Sequence, residues 1–316
     1  MGTRVVVTVD GQSSSTGMAW SEVVLSELRR VERMLSTWDP SSELSSLNAA
    51  ALDRPIVPGP DVAEWLARAS ELASRTGGTF DISVGALIDA WDLRGSGRRP
   101  RPVELERALS ASGVGAISVD PVTGAVTRHD PAAWIDAGGF GKGAALLAAA
   151  RRLESDSVAM LLDLGGQLWL SPHARARHVQ VAHPANRALT VGRLLLPPGQ
   201  SVATSGLSER SVSLDGERLG HILDPRNGRP APPWGSVTVV SDDPVEADAL
   251  STALYVMGPE AGAEWAEAQG DIAALFLVDE AGGVRAHWTG PMTSLLPQDH
   301  AGSPSFLFEP NHPSSF

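Results

Sequence analysis

A carboxylate and a hydroxyl four residues apart are the first side chains that could do chemistry together. Asp248 and Thr252 follow Asp243, Pro244 and Glu246, residue types that favour the N-cap, the first position and the third position of a helix. Side chains four residues apart lie on the same face of a helix. Because Mg²⁺ prefers oxygen ligands, Asp248 and Thr252 are candidate metal ligands, and the alternative is a helix with no ligand.

A glycine-rich segment, DAGGFGKG at 136–143, leads into a second predicted helix. Glycines let the backbone approach a ligand closely, and a helix N-terminus presents N–H donors to an anion. Lys142 adds a positive charge and is the only lysine of the chain. The segment suits a phosphate or pyrophosphate. It matches neither the Walker A nor the GxGxxG pattern, and a purely structural turn is the alternative.

Other polar and glycine-rich segments are candidate loops of a site. One pairs VATSG at 202–206 with the turn HILDPRNGRP at 221–230. Another is GGTFDISVG at 77–85, where Asp81 lies between apolar neighbours. Loops carry function disproportionately, although a single histidine such as His221 is more often structural than catalytic. The sequence contains no convincing Ser-His-Asp triad or HExxH motif.

These segments belong to a chain that we interpret as one compact domain of mixed α and β structure, in which strands alternate with turns and helices from residue 117 onward. Hydrophobic spacing predicts helices at 19–35, 60–76, 142–153, 244–257 and 259–268, and strands at 5–9, 117–119, 133–135, 159–164, 178–182, 192–196, 237–240 and 273–278. The segment RGSGRRPRP at 94–102 is interpreted as a solvated insertion. The Pro- and Ser-rich tail, 297–316, is expected to be mobile.

Composition excludes several classes of protein. The 316 residues are 42% hydrophobic and 20% charged, which is typical of a globular chain. With 37 acidic and 25 basic residues, nucleic acid is not an expected partner. There is no cysteine and no apolar run long enough for a membrane span. The N-terminus lacks the features of a signal peptide, so a cytoplasmic location is expected.

Taken together and in this order, the segments resemble the ApbE family, the FAD:protein FMN transferases. The similarity extends from residue 1 to about 258. The matching segments are MGT at 1–3, LSTW at 35–38, SELSSLN at 42–48, GGTFDISVG at 77–85, DAGGFGKG at 136–143, ATSG at 203–206, HILDPRNGRP at 221–230 and EADALSTAL at 246–254. The chain departs from the family pattern at Asp92 after Trp91, at Gln167, and at Leu207 and Ser208.

The resemblance implies an α+β fold in which a single domain, residues 1–296, has mixed and largely antiparallel sheets flanked by helices, with an FAD cleft between its lobes. It also implies the chemistry: Mg²⁺-dependent transfer of FMN from FAD to a Thr or Ser hydroxyl of an acceptor protein through a phosphoester, with release of AMP. Two alternatives remain open, a Mg²⁺-dependent FAD pyrophosphatase and a non-catalytic FAD-binding protein.

The resemblance further implies roles for individual residues. The metal ligands would be Asp248, Thr252 and the main chain at Gly139 and Ser251. His221 is our choice for the proton transfer from the acceptor hydroxyl, which makes it a catalytic candidate beside Asp248. The FAD contacts would be Met1, Trp38, Thr79, Phe80, Asp81, Asp136, Lys142, Thr204, Ser205 and Ile222.

Overall fold

The computed structural model describes residues 3–113, 115–207, 211–214, 217–280 and 283–298. Along this part of the chain, runs of consecutive helices and runs of consecutive strands follow one another. The strands are β1 (Val5–Val9), β2 (Ile117–Val119), β3 (Val126–Arg128), β4 (Met160–Leu164), β5 (Gln167–Leu170), β6 (Arg177–His183), β7 (Asn186–Leu196), β8 (Ser201–Gly206), β9 (Ser211–Leu214), β10 (Glu217–Gly220), β11 (Leu223–Asp224), β12 (Arg229–Pro230), β13 (Gly235–Ser241), β14 (Ala273–Glu280) and β15 (Gly283–Trp288). The helices are α1 (Ser14–Leu35), α2 (Glu43–Asn48), α3 (Pro60–Arg75), α4 (Gly85–Trp91), α5 (Pro102–Ser110), α6 (Gly141–Arg152), α7 (Pro244–Met257), α8 (Pro259–Gln269) and a 3₁₀ helix (Gly290–Leu295).

A seven-stranded sheet with the order β1-β4-β5-β8-β13-β14-β15 organises the fold. All of its neighbouring strands run antiparallel. Four two-stranded pairs complete the strand pairings of the described residues, among them the long hairpin β6–β7. The prediction of an α+β domain with largely antiparallel sheets is confirmed.

Each face of the large sheet is covered by a different layer. Along β14, Ala274 and Phe276 belong to the core beneath the helices, whereas Leu275 and Leu277 belong to a second core shared with the β6–β7 hairpin and the 3₁₀ helix. This alternation follows from the two-residue period of a strand. A third, smaller cluster joins α4 to α5 through Leu87 and Trp91.

Most predicted elements lie within two residues of their observed bounds, and α7 matches at both ends. Strand β7 begins at Asn186, six residues before the predicted start at 192. Helix α1 is longer than predicted because Ser13 caps it, so that it begins at Ser14, five residues before the predicted start at 19. Tyr255 is a core residue, 2% exposed; burial raises its pKa to about 12. None of the helices in the described ranges is long and apolar enough to span a membrane.

Two predictions of local structure are wrong. Residues 133–135 do not form a strand: the N–H and C=O of Ile135 bond to the side-chain amide of Asn48, at 2.7 and 3.0 Å, so a side chain takes the place of a neighbouring strand. Residue 102 belongs to α5 rather than to the loop before it. Within that loop, Arg94 is only 25% exposed and is therefore not a solvated side chain. Of the predicted tail, only 297 and 298 lie within the described residues.

Candidate active site

The N-terminus of α6 meets the side chain of Asp248 from α7. Lys142 Nζ lies 2.8 Å from Asp248 Oδ1, and the Gly143 N–H donates to Oδ2 at 3.0 Å. The Asp248 side chain is 4% exposed and that of Lys142 is 25% exposed. A buried carboxylate requires such compensation. The two candidate segments, 106 positions apart in sequence, are therefore parts of one polar centre.

Close contact between two helices makes this centre possible. A Cβ atom on Gly143 would overlap the Pro244 carbonyl oxygen and would lie 2.6 Å from the Cα atom of Val245. A larger residue at 143 would therefore separate α6 from α7. Helix α7 starts where predicted because the Asp243 side chain accepts the N–H of Val245 and Pro244 occupies the first turn.

A cluster of hydroxyl groups lies one turn further along α7. Ser251 and Thr252 each donate to the Asp248 carbonyl, at 2.9 and 3.3 Å. Ser205, at the end of β8, lies 2.9 Å from the Ser251 hydroxyl and 3.4 Å from that of Thr252. Gly139 completes the cluster, since a Cβ there would lie 3.6 Å from Thr252 Oγ1. The four predicted metal ligands and Ser205 thus come together.

This donor set fits Mg²⁺ together with phosphate. Within the described ranges, no three His, Cys, Asp or Glu side chains form a metal cluster, so a cation here would be held by one carboxylate plus neutral oxygen atoms. Mg²⁺ typically uses one or two carboxylates and substrate phosphates. The ammonium group of Lys142 would repel a divalent cation at Asp248, and phosphate oxygens would neutralise both charges. Asp248, Thr252, Ser251 and Gly139 are the residues that would hold the metal.

Asp136 and Trp38 are connected through one arginine. Arg94 Nη2 donates to Asp136 Oδ2 at 2.8 Å and to the Thr37 hydroxyl at 2.6 Å. Its Cζ atom lies over the ring of Trp38, 4.8 Å from the centroid, and over that of Trp134, at 4.3 Å. Trp38 is 73% exposed. These residues therefore form a continuous cluster with an open indole at its surface.

The segment after α3 contributes buried groups. Thr79 donates to the Thr76 carbonyl at the end of this helix, at 3.0 Å, and Phe80 is 3% exposed in the core beneath the helices. Direct contact of either residue with a flavin stays a prediction. Asp81 accepts the N–H and the hydroxyl of Ser83, at 2.7 and 2.6 Å. Burial raises the pKa of Asp81, and the two hydrogen bonds partly oppose that rise.

The remaining residues predicted to contact FAD or to act in catalysis belong to other segments of the chain. The Thr204 hydroxyl bonds to that of Thr238 at 2.8 Å, between paired strands β8 and β13. Ile222 is 8% exposed and packs in the core beneath the helices. His221 lies half-buried between β10 and β11, and its role as a base stays a prediction. Met1 lies outside the described residues.

Sequence reasoning missed Arg94 and Trp134. The polar composition of 94–102 indicates only a solvated loop, because the partners of Arg94 are 57 positions before it and 42 positions after it. One signal was available: two residues before Arg94, Asp92 stands where the pattern of the resembled family has glycine. Asp92 adopts a left-handed conformation, with a φ of 51°, which explains why glycine suits this position.

Comparisons with known proteins establish the family of this chain. The sequence profile of the ApbE family matches residues 1–276. The chain is 32% identical over 286 residues to the FAD:protein FMN transferase of Rhodobacter capsulatus, which covers 88% of this chain and 54% of that protein. It is 28% identical over 302 residues to the protein of the same name from Klebsiella pneumoniae, with coverage of 92% and 85%. The chain thus spans about half of the first relative's length and most of the second's.

Solved structures give the same result. The apo form of the Pseudomonas stutzeri flavinyl transferase ApbE superposes with a TM-score of 0.77 at 26% identity, covering 93% of this chain and 97% of that one. The flavin transferase ApbE from Vibrio cholerae superposes with a TM-score of 0.80 at 25% identity, covering 94% and 96%. By sequence profile, by curated relatives and by fold, the chain belongs to the ApbE family.

Proposed function

We propose that this chain is a Mg²⁺-dependent FAD:protein FMN transferase. It would move FMN from FAD to a Thr or Ser hydroxyl of an acceptor protein and release AMP. Relatives with this name and the family membership support the proposal. The observation that carries it is the ion pair between Lys142 and Asp248 at the N-terminus of α6, because a cation, a carboxylate and a helix N-terminus meet where a pyrophosphate and its metal could both be held.

Each residue of the centre has a distinct task in this reaction. Asp248, oriented by the Gly143 N–H, would hold the metal together with the oxygen atoms of Thr252 and its neighbours. Lys142 would turn its ammonium group from Asp248 to the phosphates and balance their charge. The chemistry that Mg²⁺ supplies when bound is neutralisation of charge on the phosphates and on the departing AMP.

The bonds and protons of the transfer balance without a further reactant. The acceptor oxygen forms a P–O bond to the phosphorus of the FMN half, and the bond from that phosphorus to the bridging oxygen breaks, so that the bridging oxygen leaves with AMP. The hydroxyl proton passes to a base, for which His221 is the candidate, and AMP leaves. A His221→Ala variant that keeps the full transfer rate would exclude that role.

The proposal is tested by incubating the chain with FAD and MgCl₂, with and without a flavin-acceptor domain that carries the family's Thr motif. We expect AMP and a fluorescent, covalently flavinylated acceptor, identified by denaturing gel and mass spectrometry. Free FMN and AMP irrespective of the acceptor would indicate a pyrophosphatase. Intact FAD in both reactions would contradict an enzymatic function.

Asp248→Ala gives the sharpest variant for this test. We expect it to slow transfer by about 100-fold or more, since it removes a preorganised charge from the reacting centre. Asp242→Ala is the matched control, because Asp242 is exposed just before the same helix and should leave the rate unchanged. Equal rates for both variants would contradict the assigned role of Asp248.

A further inference from the structure

Arg94 contacts two indole rings at once. Its guanidinium lies over Trp38 and over Trp134, and its Nη2 donates to both Thr37 and Asp136. Arginine suits such a position because its planar cation can stack on aromatic faces while its N–H groups stay hydrogen-bonded. Of the two indoles, only that of Trp38 is largely exposed, at 73%.

Close packing and hydrogen bonds define the side of this cluster that faces away from Trp38. Trp134 packs directly on α4, where a Cβ on Gly85 would lie 2.5 Å from the Cγ atom of the indole. Its Nε1–H donates to Asp89 at 2.8 Å. The loop that contains Arg94 forms a turn in which the Asp92 carbonyl accepts the N–H of Gly97 at 3.1 Å. The guanidinium of Arg94 is therefore positioned by the groups beneath it. Of the two indoles that it contacts, Trp38 is the one nearer to solvent.

We propose that Arg94 is a positioning residue for the flavin ring of FAD. By covering one face of Trp38, it holds this exposed indole in one orientation, with the remaining surface open for stacking on the isoalloxazine. Without that contact an exposed side chain samples several rotamers, and ordering it on binding lowers affinity. The inference rests on the proposed function, because the flavin and the role of Trp38 come from it.

A double-mutant cycle in FAD binding tests this inference. FAD is titrated into the chain with MgCl₂ and no acceptor, and binding is followed by flavin fluorescence anisotropy. We expect Arg94→Ala to raise the Kd of FAD by about tenfold in the wild-type chain and by less than about twofold in a Trp38→Ala background, since coupled residues are non-additive. Arg94→Lys keeps the positive charge but loses the planar guanidinium that stacks on the indole. The Kd of FAD for this variant should therefore lie between the values for the wild-type chain and for Arg94→Ala.

Arg98→Ala is the matched control from the same loop. Its guanidinium pairs with Glu104 at 2.8 Å and is 46% exposed, so the Kd of FAD should not change. An Arg94→Ala effect of equal size in both backgrounds would overturn the inference, because Arg94 would then act without Trp38. An unchanged Kd in Arg94→Ala would also overturn it and leave the transferase proposal standing. If the wild-type chain did not bind FAD, both would fail.

Discussion

Among the predicted flavin contacts, Asp81 combines burial with a carboxyl group whose pKa is raised. Burial disfavours the ionised form, and the bonds from Ser83 only partly compensate. A carboxyl whose pKa is higher in the folded than in the unfolded chain costs free energy of folding while it is ionised. The penalty is present above the folded-state pKa and disappears as the pH falls through it.

We therefore expect Asp81→Asn to be more stable than the wild-type chain at pH 7, because an amide oxygen can still accept both bonds from Ser83. The difference should shrink as the pH falls towards 4, since the wild-type carboxyl then becomes protonated. Urea unfolding of both proteins across this range measures it. A wild-type chain more stable than the variant at pH 7 would contradict the prediction.

Asp39→Asn is the control, because the pKa of Asp39 is lowered in the folded chain whereas that of Asp81 is raised. Hydrogen bonds from the hydroxyl and the N–H of Ser41 lower the pKa of Asp39, so ionisation of this carboxyl favours the folded state. We expect the variant to be no more stable than the wild-type chain at pH 7, with any deficit vanishing in acid.

At the level of single residues, the sequence predicts which side chains are candidates for binding or catalysis but not which of them contact one another. The types and spacing of Lys142 and Asp248 each marked a candidate site, because helix periodicity and glycine content are local properties. Their ion pair joins positions 106 apart, which no local pattern encodes. Arg94 was missed for the same reason: its aromatic contacts depend on the arrangement of three separate loops.

At the level of elements, the close contact of α6 with α7 at Gly143, here called the seam, determines the geometry of the site. Gly143→Ala would place a methyl group against the backbone of Pro244 and Val245, which cannot move as a flexible side chain does. We expect it to lower the free energy of unfolding by about 1–3 kcal/mol and to slow FMN transfer, since Lys142 and Asp248 would move apart. Urea unfolding and the acceptor assay measure the two effects.

Gly141→Ala is the matched control in the same helix. Its Cβ would lie 3.4 Å from that of Ala137, an ordinary contact, and alanine favours a helix over glycine by up to about 1 kcal/mol. We expect unchanged or higher stability. If both variants lost stability equally, the close contact at Gly143 would not account for the loss, and the seam argument would be wrong.

The same distinction between local and distant causes explains which elements could be predicted. Helix α7 was placed correctly because the residues that begin and end it, Asp243, Pro244 and Gly258, lie within or next to the segment. The segment around Ile135 is apolar, which predicts a strand, but the side-chain amide of Asn48 forms hydrogen bonds with both the N–H and the C=O of Ile135. That partner is 87 positions away, so an extended loop and a true strand look alike in sequence.

At the scale of the whole molecule, the large sheet separates two cores. The predicted catalytic and metal-binding side chains of α7 lie with the core beneath the helices, and the core of the β6–β7 hairpin covers the other face. The two cores share the strands of one sheet but bury different side chains. Stability should therefore depend on both cores, and FAD binding mainly on the first.

Two leucine variants separate these contributions. Leu194 on β7 and Leu146 on α6 are both fully buried, one in each core. We expect Leu194→Ala and Leu146→Ala each to lower the free energy of unfolding by about 2–5 kcal/mol. The Kd for FAD is measured under conditions in which each variant stays folded. Leu194→Ala should keep the wild-type Kd. Leu146→Ala should raise the Kd, because it leaves a cavity beside α6, the helix that carries Lys142. Urea unfolding and FAD titration test this, and an equal loss of FAD affinity in both variants would show that the sheet transmits changes between the cores.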